Sequence, residues 1–138
     1  AKTSEHLKQE EQVEIIEQVG EGLVDLIEAG RIKSPEMTLL LRKYLLPMVA
    51  EGIDYLVLGC THYPYLLPQI QELIPPHIKV IDSGYAVAKQ TRNILSQHHL
   101  LNDDATAEAQ HLWLANGKVE VLQQFAPKNV EHLKISTF

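Results

Sequence analysis

The chain has 138 residues and a formal net charge of −6. That length sets a prior of about one domain, and 45% apolar with 22% charged residues is ordinary for a globular chain. An acidic balance without a basic stripe argues against a nucleic-acid partner, and the longest apolar runs fall far short of a membrane span. The opening residues Ala1 to His6 carry no signal-peptide pattern. One cysteine cannot form an internal disulfide, which favours a reducing cytoplasm. No Cys/His spacing suggests a zinc site, and Gly20-Glu21-Gly22 is too little for a phosphate loop. The chain opens without Met in what reads as mid-element, so a piece of a longer protein is expected.

In chain order, Thr3 or Ser4 can cap a short helix over residues 1–11. Val13, Ile15 and Ile16 form an apolar run compatible with a strand at 12–18, too short for periodicity to decide. Leu23, Val24 and Ile27 predict a helix over 21–29 that stops at Gly30. The strongest helix signal spans 34–51, with Ser34 as cap, Pro35 in the first helical position and Glu36 in the first turn. Pro47 is expected to kink or stop it. Ile53 to Cys60 reads as a strand buried on both faces, as in a parallel sheet.

A helix over 65–74 comes next and ends at Pro75-Pro76, then a short strand at 78–82. Ala86 to His99 predicts a helix with Val87, Ala88, Thr91, Ile94 and Leu95 inward. Residues 100–109 read as loop and 110–115 as a strand. Residues 119–125 form a helix or strand, and 130–135 an edge strand. The alternation implies an α/β fold of parallel βαβ units.

The chemistry concentrates where the strand ends, at Gly59-Cys60-Thr61-His62-Tyr63-Pro64. Open α/β sheets bind their ligands at the carboxyl ends of strands. A cysteine works as nucleophile or base only as thiolate, which a helix start or a cationic neighbour favours. Residues i and i+2 of extended backbone share a face, so Cys60 and His62 can share one cavity. Thr61 offers a hydroxyl and an N–H near a helix start, where anions bind well. Gly59 lets backbone or ligand come close. The plainer alternatives are a small buried hydrophobe at Cys60, a structural histidine at His62, and turn-formers at Tyr63 and Pro64.

Leu58-Gly59-Cys60-Thr61-His62-Tyr63-Pro64 resembles the second cysteine motif of glutamate racemases, in the cofactor-independent aspartate/glutamate racemase superfamily. Leu26 to Gly30, Asp54 to Leu58, Leu66 to Ile70 and Ile81-Asp82-Ser83 resemble the family's flanking segments. The likeness covers most of this chain but about the second half of the family's chain. It implies a parallel-sheet βαβ lobe, with residues 1–82 in the second racemase lobe and 83–138 returning to the first. It implies L- and D-glutamate as substrate, no cofactor, and acid/base catalysis by two cysteines on opposite faces of the α-carbon, supplying D-glutamate for peptidoglycan. Cys60 would be the second cysteine, His62 would assist its proton transfers, Thr61 with His62 would contact substrate, and Glu28 would tune His62. A glutamate near a helix end is otherwise usually solvated.

The family's early Asp-Ser-Gly and Cys-Asn-Thr motifs are absent. Asp82-Ser83-Gly84 has the letters but comes after the cysteine, so that role does not transfer. The resemblance therefore implies half an active site, inactive alone, with apolar surface left for self-association such as a homodimer. The alternatives are a racemase or isomerase of the same superfamily acting on aspartate, a hydantoin or maleate, and a non-catalytic α/β interaction domain.

Overall fold

The computed structural model describes residues 13–102, 104, 106, 108–127 and 129–137. The helix expected within 1–11 lies outside these residues. Residues 13–18 are irregular, not a strand, and Val13 and Ile16 are exposed. With no neighbouring strand among the described residues to take its backbone bonds, a short apolar run has no reason to extend.

Helix α1 spans Leu23–Glu28. It ends in a double hydrogen bond, Gly30 N–H to the Ile27 carbonyl at 2.9 Å and Arg31 N–H to the Leu26 carbonyl at 2.8 Å. That closure needs a left-handed residue, and Gly30 supplies it with φ 70°. Helix α2 spans Pro35–Ala50, and the Ser34 hydroxyl accepts from the Met37 N–H at 3.1 Å, as the cap residues predict. Pro47 lies inside α2 without stopping it.

Strand β1 spans Tyr55–Val57 and strand β2 spans Lys79–Ile81. They pair in parallel, Tyr55 opposite Lys79, Leu56 opposite Val80 and Val57 opposite Ile81. Between them come a 310 turn, Tyr63–Leu66, and helix α3, Leu67–Leu73. The single expected helix over 65–74 is thus split, with Pro64 and Pro68 near the start of each piece. Helix α4 spans Gly84–Gln97, strand β3 His111–Ala115, helix α5 Val119–Phe125 and strand β4 Leu133–Thr137. Strands β3 and β4 pair in parallel across α5. The expected parallel α/β organisation is therefore present, as two two-stranded sheets.

The core lies between Leu23 and Ile78, where Ile27, Met37, Leu41 and Leu66 are the most deeply enclosed large side chains. Two burial expectations are corrected. Strand β1 is covered on one face only: Leu56 is buried, but Tyr55 and Val57 are exposed, the latter 67%. Helix α4 was expected to turn Val87, Ala88, Thr91 and Ile94 inward, yet all four are exposed. Its apolar side instead lines a shallow open hollow with Val87, Gln90, Thr91, Ile94 and Leu95. In neither case does an element among the described residues cover the open face.

Candidate functional site

The Cys60 turn leaves the β1–β2 sheet immediately after Leu58, whose N–H bonds the Ile81 carbonyl at 2.8 Å. Gly59 and Thr61 are exposed, while Cys60 and His62 are half-buried. A Cβ built on Gly59 would meet nothing within 4 Å, so the space above the turn is open.

Cys60 and His62 do meet, though not by the route their spacing suggests. The backbone is turned, not extended. His62 has helical dihedrals, φ −84° and ψ −29°, and the Tyr63 N–H bonds the Cys60 carbonyl at 3.2 Å. This turn brings Cys60 Sγ to 3.8 Å from His62 Nδ1. On the other side of the ring, His62 Nε2 lies 3.2 Å from Glu28 Oε1. Glu28 is the last residue of α1, so the helix stop at Gly30 delivers the carboxylate. Three of the predicted site residues, Cys60, His62 and Glu28, are thus brought into one line. Thr61 stays exposed beside them. The chain runs on from there into the short 310 turn, and the α-helix begins only at Leu67.

The line has a direction. A carboxylate can only accept, so Glu28 fixes the proton on His62 Nε2. In neutral imidazole the free lone pair then sits on Nδ1, facing the sulfur. Nδ1 can take a proton from the thiol, and the resulting imidazolium can donate to the thiolate. The glutamate carboxylate is well exposed, so its Coulomb attraction is screened and its contribution is chiefly orientation.

Tyr63 holds this turn from behind. Its phenol reaches the Gly20 carbonyl at 3.4 Å. The contact is close: a Cβ on residue 20 would stand 2.6 Å from the Tyr63 hydroxyl and 2.6 Å from Leu23 Cδ1, so one of these side chains would have to shift. Burial, then the charge of the neighbouring Cys60 thiolate, pushes the Tyr63 phenol above its ordinary value. The residue patterns read Tyr63 as a turn-former; a partner 43 residues away has no local signature. Further from the turn, Gln69 donates to the Ile32 carbonyl at 3.1 Å and Tyr44 to the Glu21 carbonyl at 2.9 Å, tying the exit of α1 to α3 and its entry to α2. Asp82-Ser83-Gly84 plays a structural part, in which the Asp82 carboxylate accepts from the Gly84 N–H at 2.7 Å, where α4 starts.

No protein-family model matches the chain. Its sequence is 43% identical over 115 residues to the glutamate racemase of Ectopseudomonas mendocina, covering 83% of this chain and 43% of that protein. It is 46% identical over 95 residues to the glutamate racemase of Stutzerimonas stutzeri, covering 68% of this chain and 36% of that protein. This chain is a relative of the glutamate racemases. It spans under half the length of these curated relatives. Among solved structures, a glutamate racemase from Francisella tularensis, in complex with D-glutamate, shares its fold with TM-score 0.74 and 23% identity, over 96% of this chain and 51% of that one. A glutamate racemase isoform from Bacillus anthracis gives TM-score 0.72 and 24% identity, over 95% of this chain and 48% of that one. The α/β lobe expected from the resemblance is thus the racemase fold. Among the described residues no helix is long and apolar enough to cross a membrane.

Proposed function

We propose that this chain carries one of the two acid/base walls of a cofactor-independent glutamate racemase. Inverting an α-carbon needs a base on one face and an acid on the other. In this reading Cys60, as thiolate, takes the α-proton from one enantiomer of glutamate, or as thiol returns it to the planar carbanion. His62 accepts and resupplies that proton at Nδ1, Glu28 keeps the ring oriented, and Thr61 with His62 contacts the substrate. The observation that supports it most is the continuous line from Cys60 Sγ through His62 to Glu28.

A second wall must come from outside this chain, which has no second cysteine. The division into residues 1–82, in the second lobe, and 83–138, returning to the first, belongs to the same proposal. It is supported by the confinement of the buried core to residues 23–78. The parent activity would supply D-glutamate for peptidoglycan, in the cytoplasm, where a working thiolate stays reduced.

The test is optical. The purified chain, incubated with L-glutamate, is expected to leave its circular dichroism unchanged. Measurable racemisation by the 138-residue chain alone would refute the half-site.

A further inference from the structure

Adjacent residues of α5 touch the two elements that deliver Glu28 and His62. Phe125 stacks on Tyr65, ring centroids 4.1 Å apart and planes tilted by 33°. Tyr65 belongs to the 310 turn that His62 caps. Gln124 lies over Gly30, two residues past Glu28: a Cβ built there would meet Gln124 Nε2 at 3.3 Å and Oε1 at 3.4 Å. Phe125 is also packed against the hydrophobic core, far along the chain from the residues that build it.

The Glu28–His62 pair needs such support. Both side chains are solvent-accessible, and an exposed ion pair gains little against the entropy of holding two side chains in one geometry. Its geometry therefore depends on the backbone positions at either end. The Gln69–Ile32 and Tyr63–Gly20 contacts fasten neighbouring segments, so α1 and the turn stay associated without α5. What α5 adds is one further contact at the exit of α1 and one at the turn itself.

We infer that α5 is a brace across the Glu28–His62 pair, with Phe125 and Gln124 as positioning residues for the acid/base line. This rests on reading Cys60, His62 and Glu28 as one set. Aromatic contact and side-chain packing fix the spacing of the two backbones. Loss of the Phe125 ring lets the carboxylate drift from the imidazole.

The experiment is a coupling measurement on the whole 138-residue chain. The Nε2–H tautomer fraction of neutral His62 is read from its ring 15N shifts in the parent, E28Q, F125A and the double variant, with H62Q identifying the resonances. E28Q is expected to lower that fraction in the parent and to lower it less than half as far in the F125A background. F125Y, which keeps the ring, is expected to restore the full effect. A merely structural role for Phe125 would lower the melting temperature and leave the E28Q effect intact, and that result would overturn the proposal. So would an E28Q substitution without effect in the parent. Should F125A not fold, F125L, which keeps most of the apolar volume but no ring, gives the same reading. Racemisation plays no part in this readout, so the brace and the racemase reading can fail separately.

Discussion

Residues 23–78 and residues 79–137 are built from similar parts and behave oppositely. Both contribute parallel-paired strands and helices, β1 of the first region pairing with β2 of the second. The first region closes α1, α2, α3 and one face of β1 around a common core; in the second, no described residue is buried. Helix α4 is the clearest case. Its apolar stripe is as regular as a core-facing stripe should be, yet Val87 is 59% exposed and Ile94 42%. A periodic pattern records that a face wants cover. It does not say that the cover lies within the same 138 residues.

That contrast can be broken most sharply at its extremes. Met37 is fully enclosed and Val87 is open. Met37→Ala is expected to cost about 2–5 kcal/mol in urea unfolding, the usual range for emptying a core site. Val87→Ser is expected to change stability by less than about 0.5 kcal/mol, as at an unremarkable surface position. Equal losses at both sites would mean that α4 is covered in solution.

A smaller effect tests how the segment before α1 holds the Cys60 turn. Gly20→Ala puts a methyl group against the Tyr63 hydroxyl and Leu23. Overpacking of this kind costs about 1–3 kcal/mol, measurable by the same unfolding. A neutral result would show that the turn is not anchored through Tyr63.

Smaller still is a pH effect. The Tyr63 phenol is raised above its ordinary value of 10.0, chiefly by burial. Between the unfolded and folded values the native state binds the proton that the unfolded state has lost. The slope of unfolding free energy with pH is therefore negative there. The contribution is fully present below about pH 10 and is lost as pH rises toward the folded value. Denaturation on either side of that point, at about pH 9 and about pH 11, should show a steeper alkaline loss in the parent than in Tyr63→Phe. Identical slopes would place the phenol in water.

Local chemistry was legible where it is local. Ser34-Pro35-Glu36 announces the start of α2, and Ala29-Gly30 the stop of α1, because caps act within a turn of helix. The reactive cluster was legible too: an abrupt glycine after an apolar run, then thiol, hydroxyl and imidazole. Its geometry was not. Spacing suggested that Cys60 and His62 share a face of extended backbone, and a turn joins them instead. Glu28 was placed beside His62 by family resemblance; helix position alone would have left it in solvent. Contacts such as Tyr63 with Gly20, or Phe125 with Tyr65, depend on how elements pack, and nothing within either segment records the partner. Coverage was the least legible property, since Tyr55, Val57 and the α4 stripe read as interior and are exposed here.

In the proposed function Cys60 serves as one acid/base group of a glutamate racemase. Its most direct test joins this chain to the portion of the Ectopseudomonas mendocina glutamate racemase that it does not match. Racemisation of L- and D-glutamate is then followed by circular dichroism, with and without C60S. General acid/base groups contribute about 10²–10⁴-fold. The hybrid is expected to racemise both enantiomers, and C60S to lower the rate by at least about 100-fold. A C60S hybrid that racemises as fast as its parent would contradict it.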